Sequence, residues 1–244
     1  MSPRNSSRTA GAGRASTDLD GAGRAGGAGA GVVADGARPA RMSSEERRAQ
    51  ILAASIAVFG AKGYDGATTD DLAQAAGVSQ AYVVRMFGSK QGLFMAAMES
   101  VADRLEVDFR AALDEADAAL PVGATDEQRT HARKEAMSVA YLRLLQERGL
   151  HLTMQHAFLR GGDPAIGPVA RASFGRIWRF IREDAGFDAE FGKSFLSYGM
   201  LLNTLIGLRM VDTDGTGEAD ELLALCFPDL DAVAGVVPRA DERW

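Results

Sequence analysis

A chain of 244 residues, 46% hydrophobic and 25% charged, has the size and composition of a folded globular protein, which excludes wholesale disorder. Its single cysteine, Cys226, excludes an internal disulfide framework and its three scattered histidines exclude a zinc finger, so we expect a cytoplasmic protein with no metal and no cofactor. The net charge of -6 is uneven: residues 1–40 sum to +2, residues 41–100 to 0 and residues 101–244 to -8, so any contact with nucleic-acid phosphate is expected in the N-terminal third.

Residues 1–42 are rich in Gly, Ala and Arg, with AGAGRA at 10–15 nearly repeated as DGAGRA at 20–25, and read as a flexible arm without a secretory h-region. Order is expected from Ser43, because Ser43 and Glu46 have capping-box spacing and Leu52, Ile56 and Phe59 follow at i, i+4, i+7. This predicts a helix over about 44–61, ended by Gly63. Thr68 or Thr69 then caps a helix of about two turns, with Asp70 and Asp71 in its positively polarised first turn. Gly77 suits a left-handed stop, Val78 plugs the corner, and Ser79 caps a third helix over Gln80 to Phe87. On that helix Val83 and Phe87 face inward, leaving Gln80, Ala81, Tyr82 and Arg85 outside.

After Gly88 the pattern changes. Ser89 caps a long amphipathic helix reaching about Leu120, and further helices are expected at about 126–147, 150–160, 164–185 and 188–211, with a short one near 218–226 and a tail over 228–244. The apolar run Phe195 to Met210 is shorter than the roughly 20 residues of a bilayer span and reads as a buried helix, so no membrane partner is expected. The predicted fold is all-α: a three-helix helix-turn-helix domain over 43–92 joined to a helical body over 93–227.

Residues 68–88 supply the parts of a helix-turn-helix: a short supporting helix, small residues at the crossing, a glycine turn and an exposed third helix that fits a major groove. The surrounding segment ARMSSEERRAQILAASIAVFGAKGYDGATTDDLAQAAGVSQAYVVRMFGSKQGLF resembles the TetR family of transcriptional regulators over about 55 consecutive residues. The likeness rests on the first helix ending Phe59 to Gly63, the Thr68-Thr69 cap, the Ala76-Gly77-Val78-Ser79 turn and Phe87-Gly88-Ser89-Lys90 before Leu93-Phe94.

The resemblance implies a double-stranded DNA operator as partner, with Gln80, Ala81, Tyr82 and Arg85 toward base edges and Thr69, Ser79 and Lys90 toward phosphates. The chemistry suits these roles. Gln pairs with adenine, Arg with guanine, and Ala or a Tyr ring meets a thymine methyl. Each residue also has a purely structural reading: helix cap for Thr69 and Ser79, packing against the first helix for Tyr82, solvated surface for Arg85 and Lys90. The chain departs from the family in having Val84 where an aromatic is usual, Tyr82 where a small residue is common, and Gly92 in place of the acidic capping-box residue.

One recognition helix makes too few contacts for operator specificity, so a homodimer is expected. The last two long helices are the candidates, presenting Phe174, Trp178 and Ile181 on one and Phe195, Gly199, Leu202, Asn203 and Ile206 on the other. TetR-like bodies generally sense a small molecule, and Leu105, Phe109, Met137, Tyr141, Leu144, Met154 and Phe158 could line its pocket, with Gln155 orienting it. The resemblance thus implies a dimeric repressor released by an unknown effector. A helical DNA-binding or protein-interaction module without effector is the alternative. An all-α enzyme has only His131, His151, His156, Cys226 and Tyr141 as reactive groups, in no catalytic or metal-binding spacing, so no catalytic residue is assigned.

Overall fold

A computed structural model describes residues 42–210, 217 and 219–227; the predicted tail, and the arm up to residue 41, lie outside the described residues. The described residues form nine α-helices and no strand: α1 Ser44–Gly66, α2 Thr69–Ala75, α3 Gln80–Phe87, α4 Lys90–Ala119, α5 Asp126–Leu144, α6 Leu150–Leu159, α7 Ile166–Arg179, α8 Ala189–Gly207 and α9 Asp220–Cys226. The fold is all-α, as the hydrophobic periodicity predicts.

Local chemistry sets the boundaries. Ser43 and Glu46 form the expected capping box of α1, and Thr68, not Thr69, caps α2 by exchanging bonds with Asp71. Gly77 makes the corner after α2 with φ 64°, a left-handed conformation that a side chain would strain. Gly63 kinks α1 instead of ending it, because Ala67 N–H still reaches Gly63 O at 3.2 Å and carries one further turn over Tyr64–Gly66. The predicted helix over 164–185 divides: α7 runs to Arg179 and a π-helical turn, Phe180–Asp184, closes with Ala185 N–H on Phe180 O at 2.8 Å.

The core has two joined parts. In the head, α1, α2 and α3 enclose Phe59, Leu72 and Val83, and Phe59 meets Phe94 of α4 edge-on with ring centroids 4.8 Å apart. The helix α4 then continues into the body, burying Val101, Leu105, Phe109 and Leu113 against α5 and α7. The helix α6 packs on α1, with Thr153 Oγ1 donating to Ile56 O at 2.7 Å.

Of the expected partner-facing residues, Ile181, Leu202, Asn203 and Ile206 are at most 4% exposed and Gly199 is buried, all against the chain's own helices. Gly199 gives close approach to Tyr141, whose ring lies 3.1 Å from where a Cβ would stand. Trp178 is half-buried over Gly192, and Phe195 stacks edge-on with Phe109 and Tyr141. Helix α8 is so apolar on several faces that its period alone does not say which face is outside. The structure shows an outer stripe of Ser197, Leu201, Thr204 and Leu208, at i, i+4, i+7, i+11.

Candidate nucleic-acid interface and ligand cleft

The helix α3 lies on the surface of the head, anchored by one fully buried side chain, Val83. Gln80, Ala81, Val84 and Arg85 are exposed and share its outer face, while Tyr82 is half-buried against the core. Ser79 is the N-cap, accepting from Tyr82 N–H at 3.2 Å, so its hydroxyl stands where the first-turn N–H groups of α3 also point outward. Thr69, released from capping, accepts from Gln80 Nε2 at 2.5 Å; this bond ties the first turns of α2 and α3 on one side. Arg85 lies over the Tyr82 ring, 4.6 Å from its centroid, which restrains a long cation that would otherwise sample many rotamers. The structure therefore brings Thr69, Ser79, Gln80, Ala81 and Arg85 onto one side of the head, with Tyr82 half-buried at its edge beneath Arg85.

Lys90 has a different setting. Its ammonium donates to Tyr64 O at 2.8 Å and Ala67 O at 2.9 Å and sits 4.5 Å from the Tyr64 ring centroid. A cation at the first turn of α4 is thus balanced by the carbonyl end of α1, and one N–H remains beyond these two bonds. Arg160 of the α6 cap also lies over Tyr64, 4.8 Å from its centroid, and pairs with Asp65. Neither Arg160 nor Tyr64 is visible as part of this joint from spacing, because they meet across 96 residues. Behind α2, the Lys62 ammonium 2.8 Å from Asp71 holds that carboxyl down at about 2, aided by Thr68.

In the body, Leu105, Phe109, Tyr141, Met154 and Phe158 line an apolar cleft. Phe174, Phe195, Gly199 and Asn203, expected on the partner side, line it too. Met137 and Leu144 lie behind the wall, fully buried. The cleft holds about 30 Å³, room for about two water molecules, so a metabolite enters only by displacing side chains. A wider groove of about 610 Å³ shares Phe158 and Met200 with it and is bordered by Gln155, His156, and Gly60 and Ala61 of the head. Tyr141 donates to Asn203 Oδ1 at 2.9 Å, with Gly199 O at 3.2 Å. His151 meets the Tyr141 ring edge-on at 5.2 Å; burial lowers its pKa to about 3, leaving it neutral. Among the described residues no three His, Cys, Asp or Glu converge on a metal position, and no helix is long and apolar enough to cross a membrane.

An exposed helix seated on a two-helix corner, and joined through one long helix to an all-α body, is a helix-turn-helix architecture. The family model described as "Bacterial regulatory proteins, tetR family" matches residues 51–97. Over that segment, the head and the start of α4, the chain is similar to that family of regulatory proteins. It is 38% identical over 73 residues to the HTH-type transcriptional activator FasR of Mycolicibacterium smegmatis, covering 30% of this chain and 33% of the relative. It is 36% identical over 76 residues to the HTH-type transcriptional dual regulator CecR of Shigella flexneri, covering 31% and 34%. The chain thus spans about a third of the length of the curated relatives it matches. The whole fold is similar to a protein of Pseudomonas aeruginosa PAO1 described as a transcriptional regulator, with TM-score 0.51, 22% identity and coverage of 80% and 93%. A Mesorhizobium loti protein described as a TetR-family transcriptional regulator gives TM-score 0.51, 19% identity and coverage of 80% and 98%. At such identity these likenesses concern the fold.

Proposed function

We propose that this protein is a cytoplasmic repressor that binds operator DNA as a homodimer through α3 and is released by a small molecule bound in its body. The observation that carries the DNA-binding reading is the exposed face of α3: Gln80, Ala81 and Arg85 project outward while Val83 locks the opposite side. In a major groove, Gln80 and Arg85 read base edges, Ala81 and the Tyr82 ring meet thymine methyls, and Thr69, Ser79 and the remaining Lys90 N–H meet phosphate. The acidic body repels phosphate and so favours the head over the body as the face for DNA. Two heads, paired through the outer stripe of α8, read half-sites about 34–36 Å apart or a multiple of that.

What supports control by an effector is which helices line the cleft. Leu105 and Phe109 belong to α4, and Met154 and Phe158 to α6; both helices also pack on α1 of the head. A ligand that favours one spacing of these helices favours one spacing of the heads, and only a difference in affinity between the two arrangements does so. The test is selection of bound duplexes from a random pool, repeated with Arg85→Ala. The wild-type chain is expected to enrich a two-fold symmetric site, and Arg85→Ala to lose preference at one base pair per half-site. Enrichment of no sequence by the wild-type chain rejects the reading. Derepression of a reporter bearing the selected site distinguishes repressor from activator.

A further inference from the structure

The body cleft has an unusual balance of chemistry. Its lining contains no Lys, Arg, Asp or Glu, and its polar groups are Tyr141 and Asn203. Asn203 is 1% exposed, yet its Nδ2 has no hydrogen-bond partner, whereas nearly all buried amide groups are paired. The Tyr141 hydroxyl has one proton; given to Asn203 Oδ1, it holds that oxygen toward the tyrosine and turns the NH2 group away from it. The mouth is covered by Phe174 and Met200, each 38% exposed, and Phe158 meets Phe174 edge-on at 5.6 Å. Phe174 and Met200 are thus the lining residues with the most freedom to move aside for a ligand.

We propose that this cleft takes an uncharged, ring-sized apolar molecule carrying one hydrogen-bond acceptor, which receives its bond from Asn203 Nδ2. This ligand class rests on the effector reading above and deepens it. A charged ligand would leave water for a site with no counter-ion, at heavy desolvation cost. The neighbouring titratable groups do not supply one, since burial raises the Tyr141 pKa and lowers that of His151, keeping both neutral. A purely apolar ligand would leave the Asn203 amide unpaired, so the acceptor is what the site selects.

The test uses the full chain with 13C-methyl methionine, because Met154 and Met200 both line the cleft and report on it directly. Three probes share one ring: acetophenone has an acceptor, ethylbenzene has none, and benzoate is an anion. Acetophenone is expected to shift the Met154 and Met200 methyl signals and to bind about tenfold tighter than ethylbenzene, with benzoate weakest. Asn203→Ala is expected to abolish the preference for acetophenone over ethylbenzene while leaving ethylbenzene binding in place. Tyr141→Phe, which keeps the ring and removes the hydroxyl that orients the amide, is expected to reduce the preference. Equal binding of acetophenone and ethylbenzene, tighter binding of benzoate, an unchanged preference in either folded variant, or shifts confined to other methionines overturns the proposal. Operator affinity is measured alongside. Acetophenone binding without any change in operator affinity removes the effector reading and leaves the ligand class standing; a lost probe ranking in a chain that still binds operator removes the ligand class alone.

Discussion

Gly60 and Gly149 touch backbone to backbone. A methyl group on Gly60 would lie 2.5 Å from Gly149 Cα, and one on Gly149 would lie 2.6 Å from Ile56 O. This is where α1 of the head meets the start of α6 of the body, and Thr153 bonds Ile56 O within the same contact. No flexible side chain can yield here, so one added methyl pushes two helices apart. Gly60→Ala is expected to cost about 1–3 kcal/mol of stability, the usual penalty of overpacking, read from the denaturant midpoint. A midpoint equal to that of the wild type would mean the helices can separate freely.

Lys90 joins three elements: the end of α1 through Tyr64 O, the connection to α2 through Ala67 O, and α4, where it resides. Lys90→Met keeps the stem and removes the donors, leaving two partly buried carbonyls without them. Stability is expected to fall by about 1.5–3 kcal/mol, the range for hydrogen bonds to charged groups. If the remaining N–H meets a phosphate, the slope of log affinity against log salt also falls, by about 0.9. A stability loss with an unchanged slope assigns Lys90 to positioning alone.

The head was legible in the sequence because its signals are local. Ser43 with Glu46, Gly77 before Ser79, and Val83 with Phe87 are each read within one or two turns, and the resulting helix order is observed. The body was legible only as helices. Gly199 and Asn203 have the spacing of a close helix contact, but the helix they approach carries Tyr141, 62 residues before Asn203, and no local pattern says so. The same limit hid the Tyr64, Lys90 and Arg160 joint, whose members come from three helices or their ends.

His151 makes acid stability predictable. It is 3% exposed, and burial lowers its pKa from 6.5 to about 3. Between those values the unfolded chain binds a proton that the folded chain refuses, so stability falls as pH drops from 6.5 toward 3 and is independent of this group above 6.5. The slope approaches about 1.4 kcal/mol per pH unit, or roughly 2 kcal/mol between pH 6.5 and 5. His151→Gln is expected to remove this part of the pH dependence, whatever it does to stability at pH 8. Urea melts at pH 5, 6.5 and 8 measure it, and parallel curves for the two proteins would show that the imidazole titrates normally in the fold.

The outer stripe of α8 predicts which surface changes break the proposed dimer. Ser197 and Thr204 are exposed, small enough for a second helix to approach, and flanked by Leu201 and Leu208. Replacing both with Arg places four like charges across a two-fold contact, since each subunit contributes the same patch. Exposed substitutions of this kind change the stability of the single chain by about 0.5 kcal/mol or less. The double variant Ser197→Arg, Thr204→Arg is therefore expected to keep the wild-type circular dichroism and melting curve yet sediment as a monomer at micromolar concentration. Its operator affinity is expected to drop, with protection of one half-site in place of two. A variant that stays dimeric moves the interface elsewhere, and the outer face of α7, where Ala172 and Gly175 lie between Arg171 and Arg179, is then the surface to change.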